Sequence, residues 1–266
     1  MNDSVAPTSR EQAASELNQC RLCLQQGTLC VSHVIPNAYF KAMKRQANGK
    51  LVAFSDDPDR PTEMSQESWS EELLCSACEG WIGKWETLMI EKLRKAGKLF
   101  ATDPDREVSL AIDHNVLRLF LLSIVWRASV SSLIQYRPAS LDPTLRECIR
   151  ISLLQARAPK PDVLPTVIRK LVDPRGKYSV EAFETLALSP RTYNRHLEAI
   201  RFVVGGYVVD FVTSKVTNKV RDLVGFVHDK PTLRLKAKSF LTVPEIMAAA
   251  RTVLQKEASG QSKIAR

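Results

Sequence analysis

Two Cys-x-x-Cys pairs, Cys20 with Cys23 and Cys75 with Cys78, constrain this sequence more than any other feature. Two thiolates at this short spacing can bind one face of a tetrahedral Zn²⁺, so the four cysteines predict a structural zinc site. Residues 24–74 separate the pairs, and this gap is too long for a compact zinc ribbon. The sequence therefore predicts a structured insert whose ends the metal brings together and which could contain a functional site.

The composition of the chain is that of a globular protein, with 44% hydrophobic and 25% charged residues among 266. These values exclude collagen-like, disordered and disulfide-scaffold proteins. The formal net charge of +9 favours nucleic acid as the partner class, although many soluble proteins are basic without binding a polyanion.

The polar N-terminus lacks a signal-peptide pattern and residues 110–134 include charged side chains, so we expect a cytoplasmic protein without a membrane span.

The pattern of turns and apolar residues predicts an α+β protein with a small zinc-bound module followed by a mainly helical domain. Its expected segments are a disordered lead (1–17), a zinc-binding module (18–100), a mainly helical domain (108–256) and a frayed tail (257–266). In the module, apolar spacing predicts a strand at 29–34, a second strand at 51–54, and helices at 37–46 and 78–97.

The second domain shows mostly helical spacing. Helices are expected at 110–136, 141–156, 166–172, 180–186, 191–197 and 243–254. Alternating apolar residues on either side of Gly205-Gly206 predict a β-hairpin near 199–213, and further strands could form at 224–227 and 233–235.

Close to the cysteine pairs, the sequence places two groups that could act on a phosphodiester. His33 ends the first predicted strand, and an imidazole near its free pKa can take a proton from water. Glu79 directly follows the last cysteine, and a carboxylate is a suitable ligand for Mg²⁺ or Mn²⁺. Glu79 could equally be a helix first-turn carboxylate that interacts with the helix dipole.

These motifs resemble the zinc-stapled HNH endonucleases, which have a treble-clef, ββα-metal fold. The resemblance covers about residues 18–90, in the order Cys-x-x-Cys, Ser-His-Val-Ile-Pro (32–36) and Leu-Leu-Cys-Ser-Ala-Cys-Glu (73–79). It is closest to a poorly characterised bacterial subgroup with Ser-His-Ile-Ile-Pro and Leu-Leu-Cys-x-x-Cys-Glu motifs. In that subgroup a Trp-Arg-bearing helical region follows, and Trp126-Arg127 is similar to it.

The resemblance implies that the four cysteines hold structural zinc and that His33 is the general base of DNA hydrolysis. Ser32 stands where active members have Asp or His, and Glu79 stands in place of the last His. No Asn lies near Ser70, where the family's middle Asn would fall. The candidate donors for a catalytic Mg²⁺ or Mn²⁺ are then Glu79, with Ser32, Glu71, Glu72 or Glu86 in supporting positions.

The helix after His33 carries a cationic cluster that could contact phosphates, formed by Lys41, Lys44 and Arg45. A solvated helix face would have the same composition.

Three functions therefore stay open: a metal-dependent HNH-type nuclease, a non-catalytic module that binds nucleic acid or a protein partner, and a purely structural zinc protein. Convergence of Ser32 and Glu79 with His33 on a second cation site would favour the nuclease.

Overall fold

The computed structural model describes residues 18–46, 51–53, 63–65, 69–101, 105–194 and 198–259. The predicted lead (1–17) and residues 260–266 of the predicted tail lie outside these ranges. Within the described residues, no helix has the length and hydropathy needed to cross a lipid bilayer.

The N-terminal half of the chain is a mixed α/β unit. Its strands are β1 (Leu29–His33), β2 (Leu51–Ala53), β3 (Glu63–Ser65) and β4 (Ser70–Cys75), and its helices are α1 (Asn37–Gln46) and α2 (Ser76–Lys98). β1 and β4 pair antiparallel, with Leu29 opposite Cys75 and His33 opposite Ser70. Because β4 runs directly into α2, one end of this two-stranded sheet adjoins the second cysteine pair and the other end carries His33. The strands predicted at 29–34 and 51–54 and both predicted helices are confirmed.

The C-terminal half contains six strands and five helices within the described ranges. In chain order they are β5 (Glu107–Ala111), α3 (His114–Val130), α4 (Pro143–Leu154), β6 (Thr166–Val172), α5 (Val180–Glu184), β7 (Ala187–Asn194), β8 (Glu198–Val204), β9 (Tyr207–Val212), α6 (Asn218–Arg221), β10 (Thr232–Ser239) and α7 (Pro244–Ala258). Two short 3₁₀ helices occupy Ile134–Ala139 and Phe240–Thr242.

The six strands form one sheet in the order β5-β10-β6-β9-β8-β7. β10 and β6 are parallel, and every other neighbouring pair is antiparallel. The predicted hairpin is confirmed as β8 and β9, whose turn at Gly205-Gly206 has positive φ at both residues. The α+β class is confirmed, but the prediction of a mainly helical second domain is wrong because this sheet is its centre.

Two predicted helices of the second domain are strands in the structure. β6 spans the predicted helix 166–172, and six of its seven residues are buried between two layers. Because both faces of β6 are buried, its sequence lacks the alternation of apolar and polar residues that would distinguish a strand from a helix. β7 likewise covers 191–194 of the predicted helix 191–197, and its pairing with β8 overrides the local helical pattern; residues 195–197 lie outside the described ranges.

The predicted long helix 110–136 is divided in the structure. Its first residues belong to β5, and α3 begins at His114 because the Asp113 carboxylate caps it by accepting a hydrogen bond from the Val116 N–H. α3 is buried over nearly its whole circumference, as its all-round apolar sequence indicates. The strand expected at 224–227 forms only an isolated bridge between Phe226 and Val167, whereas the strand at 233–235 is confirmed within β10.

A single large hydrophobic cluster extends through both halves of the chain. It includes Leu22 of the first cysteine segment, Trp126 at the buried centre of α3, and Leu235 of β10. The helix pair α2 and α3 packs together and joins the cysteine-bearing region to the six-stranded sheet. A domain boundary at the 101–107 connector stays a prediction.

Candidate metal centre and nucleic-acid interface

The four predicted zinc ligands converge in the structure. The Sγ atoms of Cys20, Cys23, Cys75 and Cys78 all lie within 4.8 Å of one another. The Sγ atoms of Cys23 and Cys75 are 3.8 Å apart. A tetrahedron with Zn–S bonds of about 2.3 Å has edges of about 3.8 Å, so the spacing of the thiolates fits Zn²⁺. These four side chains could hold a metal ion, and zinc is compatible with them.

The local fold fixes each cysteine pair at one end of the β1–β4 sheet. The Leu24 N–H donates to the Cys20 carbonyl, and Leu24 has a left-handed φ of 62°, so the chain turns tightly around the first pair. The Arg21 N–H donates to the Leu73 carbonyl of β4, which attaches this turn to the strand that precedes the second pair. Cys75 is the N-cap of α2, so the second pair lies at the start of a 23-residue helix.

Burial and backbone hydrogen bonds shift the pKa values of the clustered thiols in opposite directions. Burial raises the pKa of Cys23 and Cys78, which disfavours free thiolates at these positions. Burial also acts to raise the pKa of Cys20, but backbone N–H groups of Cys23, Cys75 and Leu22 reverse it and lower that pKa. A metal ion would supply the positive charge that four neighbouring thiolates need.

His33 lies at the opposite end of β1 from the cysteine cluster. Its side chain is half-buried, and its ring centroid is 5.9 Å from that of Phe40 on α1. Burial lowers the pKa of His33, and the positive charges of Arg127, Lys44 and Lys41 lower it further, whereas Glu86 acts to raise it. The imidazole is therefore neutral at pH 7, the state in which it can accept a proton.

Arg127 of α3 connects His33 to α2. Its guanidinium is 99% buried and donates to the His33 carbonyl (2.6 Å), to the Glu86 carboxylate and to the Ser123 carbonyl (3.2 Å). The sequence does not predict this role. Two signals in the sequence mark Arg127: its place in the Trp126-Arg127 pair, and its charge within the apolar sequence of α3, since a buried arginine needs partners.

Ser32 directs its hydroxyl into the backbone of the β1–β4 sheet. The side chain is buried, accepts from the Leu74 N–H (3.2 Å) and donates to the Cys30 carbonyl (3.3 Å). The register of the two strands shifts between Cys30 and Val31, and the hydroxyl satisfies backbone groups at this irregularity. The Ser32 hydroxyl is therefore occupied by backbone hydrogen bonds, although the resemblance to HNH endonucleases implies that this position could bind a cation.

Two of the four acidic candidates, Glu71 and Glu86, are engaged in other contacts. Glu86 is paired with Arg127. Glu71 accepts hydrogen bonds from the Ser131 hydroxyl and from the N–H and hydroxyl of Ser132. Glu72 is exposed on β4. Glu79 differs from Glu71 and Glu86 in its hydrogen bonding. Its Oε1 atom is buried and has no hydrogen-bond partner among the residues that the structure describes.

These contacts decide whether the expected Mg²⁺ or Mn²⁺ donors fit a second metal ion. Such an ion needs several oxygen ligands, of which the protein commonly supplies one or two carboxylates. Of the expected set, Glu79 has a buried oxygen without a hydrogen bond, whereas the Ser32 hydroxyl bonds to the backbone and one oxygen of Glu86 pairs with Arg127. Within the described ranges, the four cysteines form the one group of three or more potential metal-ligating His, Cys, Asp or Glu side chains. The expected donor set therefore does not fit a catalytic divalent ion.

The cationic cluster of α1 faces solvent beside His33. Lys41 and Arg45 are exposed, and Lys44 is partly exposed. The charges of Lys41 and Lys44 act on His33, which places this face of α1 and the imidazole within electrostatic reach of each other. The cluster can present positive charge to a polyanion at the His33 end of the module.

Comparison of the chain with protein-family models, with curated proteins and with solved structures gives no match.

Proposed function

We propose that this protein binds nucleic acid through its zinc-stapled N-terminal module, with the cationic face of α1 against the phosphate backbone. The observation that carries the proposal is the placement of the exposed Lys41 and the partly exposed Lys44 near His33, at the end of the β1–β4 sheet opposite the four clustered thiols. A rigid module with a concentrated positive face suits a polyanion, and the net charge of +9 adds long-range attraction.

The finer fold of this module is proposed to be a treble clef of the HNH type. The supporting features are a first cysteine pair in a tight turn, an antiparallel strand pair, and a helix that starts with the second cysteine pair. The resemblance of the Ser-His-Val-Ile-Pro and Leu-Leu-Cys-Ser-Ala-Cys-Glu segments to HNH endonucleases makes double-stranded DNA the first nucleic acid to test.

A second candidate function, hydrolysis of DNA phosphodiester bonds, is favoured by the state of His33. Burial and neighbouring cations keep its imidazole neutral, so it could take a proton from an attacking water. The bonded oxygens of Ser32 and Glu86 weigh against this candidate because they leave the expected cation donors incomplete. For this reason binding without cleavage is the primary proposal.

Binding is tested by fluorescence anisotropy of a labelled DNA duplex over a range of salt concentrations. The triple variant Lys41→Gln, Lys44→Gln, Arg45→Gln should bind more weakly, and the slope of log K against log salt should fall by up to about 3, since each lost phosphate contact removes about 0.9. A matched control with the same charge change replaces three exposed lysines of the C-terminal half with glutamine, at Lys215, Lys219 and Lys230.

If both triple variants lose affinity equally, the binding is non-specific attraction to net charge and the proposed face is wrong.

Cleavage is tested in parallel with plasmid DNA and zinc-loaded protein in Mg²⁺, Mn²⁺ or EDTA. Divalent-dependent nicking that disappears in His33→Ala, with the zinc content unchanged, would replace the binding proposal with the nuclease.

A further inference from the structure

A pocket of about 520 Å³ opens on one face of the six-stranded sheet, on the side away from the large hydrophobic cluster. Its walls come from β6, from β10, from the segment after α6 and from the 3₁₀ turn before α7. We call it the sheet pocket, and its polar lining residues are Arg169, Lys236, Lys238, Asp222, Ser239 and Thr242.

Strand alternation explains why charged side chains reach this face. In β6, Ile168 and Val172 pack into the large cluster, so Arg169 between them points to the opposite face. In β9 the same alternation places Asp210 on the face of Arg169, and in β8 it places Arg201 there, directly opposite Asp210.

These three side chains form a charged row across three strands. Arg201 donates to Asp210 at 2.6 Å and 3.2 Å, and Arg169 donates to the same carboxylate at 3.1 Å. Arg201 and Asp210 are buried. Glu245 of α7 adds a weaker contact, 3.6 Å from Arg201.

Stability alone does not explain a buried charged row at this place in the sheet. Elsewhere the same face is apolar, with Leu171, Val203 and Val208 packed under α7 and Val167 and Val212 packed under α6. Apolar residues of similar volume commonly stabilise a protein as well as a buried ion pair does, because the ions lose their hydration. The row instead places the partly exposed Arg169 guanidinium, which lines the pocket, on this face of the sheet.

The pocket has more positive than negative charge. Three cations line it against one carboxylate, that of Asp222. Burial lowers the pKa of Lys238, and Arg169 and Arg201 lower it further, although Asp210 and Glu245 act in the opposite direction. Arg169 and Arg201 therefore place positive charge near the Lys238 ammonium, and a bound anion would offset the charge of the three cations that line the pocket.

The start of α7 lies near the pocket, because Thr242 lines the pocket two residues before the helix begins at Pro244. The partial positive charge of a helix N-terminus is opposed here by Glu245 in the first turn. The arginine and lysine side chains of the lining are the donors suited to phosphate oxygens.

We propose that the sheet pocket binds a phosphate group, of a nucleotide or of a nucleic-acid backbone, through Arg169, Lys236 and Lys238. This site is separate from the cationic face of α1, so it does not depend on the function proposed for the zinc-stapled module. Asp210 has a positioning role, because it holds Arg169 and Arg201 side by side beneath the pocket.

The test is isothermal titration calorimetry of the full chain with three probes: pyrophosphate, ADP and a short DNA duplex. Pyrophosphate should bind, and Lys238→Gln should weaken it by about tenfold, the loss expected for one charge-assisted hydrogen bond. Lys230→Gln removes an exposed lysine outside the pocket lining and should leave the affinity within about twofold, as expected for a solvated surface charge.

The three probes distinguish the source of the phosphate. ADP binding more tightly than pyrophosphate would indicate a nucleotide, and tighter duplex binding that Lys238→Gln weakens would indicate a nucleic-acid backbone. Absence of binding for every probe, or equal binding by Lys238→Gln and the unsubstituted protein, would overturn the proposal. The triple variant of α1 should keep its pyrophosphate affinity, so failure of the module's function and failure of this site give different results.

Discussion

Arg127 of α3 donates a hydrogen bond of 2.6 Å to the backbone carbonyl of His33, which lies 94 residues earlier in the chain. The same guanidinium pairs with Glu86 of α2. A single buried cation thus joins the end of β1, the middle of α2 and the last turns of α3. The position of His33 relative to the helices therefore depends on a residue outside the cysteine motifs.

Replacing Arg127 with glutamine should destabilise the protein by about 3 kcal/mol, because Glu86 would keep a partly buried charge without its partner. The measurement is the free energy of unfolding in urea. Arg137→Gln is the control, since Arg137 is exposed and should change the unfolding free energy little. Equal stability of the two variants would show that Arg127 is not the connection described.

The same substitution should also raise the pKa of His33. Arg127 is the largest electrostatic cause that lowers this pKa, and its removal would leave the opposing effect of Glu86. An NMR titration of the His33 ring protons measures the shift. An unchanged or lower pKa in Arg127→Gln would contradict the proposed electrostatic link.

Substitution of one of the four clustered cysteines should unfold the N-terminal module. Cys75→Ser removes one of the four converging thiolates, and structural zinc contributes its binding energy directly to folding. The expected result is loss of bound zinc together with the cooperative unfolding transition of the module. Cys148→Ser is the control, because Cys148 lies on α4 outside the cluster. A zinc-free Cys75→Ser protein with an unchanged transition would rule out a structural metal.

His33 should make stability fall as the pH is lowered below about 6.5, the ordinary histidine pKa. The pKa of His33 is lowered in the folded state, so at pH values between this folded-state pKa and 6.5 the unfolded chain binds more protons than the folded chain. Protonation therefore favours unfolding over this interval. Below the folded-state pKa both states are protonated, and stability falls no further on account of His33. Urea unfolding at pH 7.5 and at lower pH measures this, with His33→Gln for comparison. The variant should lose less stability over the same interval, and identical pH dependence would refute the contribution of His33.

Gly205→Ala should be more destabilising than the matched change at Gly176. Both glycines have left-handed φ, 58° and 68°, where alanine costs about 1 kcal/mol. A methyl group at Gly205 would also overlap the ring of Tyr39 on α1, whereas Gly176 faces open space. We expect a loss of about 3 kcal/mol against about 1 kcal/mol, measured by urea unfolding. Equal losses would mean that α1 does not contact the β8–β9 turn.

Short-range patterns of the sequence were sufficient to predict several secondary-structure elements. The β8–β9 hairpin follows from alternation around two glycines, and α2 follows from apolar spacing after the second cysteine pair. β6 could not be identified in this way, because burial on both faces removes the period of two that marks a half-buried strand. The charged row of the sheet pocket was missed for a related reason, since strand register decides which side chains share a face.

The sequence by itself determined the four cysteines that could hold a metal ion, because the spacing within each pair is a local property that tertiary packing only completes. It also determined His33 as a candidate, through its place in a motif. Tertiary structure alone decided that the Ser32 hydroxyl accepts a hydrogen bond within the β1–β4 sheet and that the Glu86 carboxylate pairs with Arg127. Hydrogen-bond partners far apart in the chain are set by packing of whole elements, and no local pattern of residues records that packing.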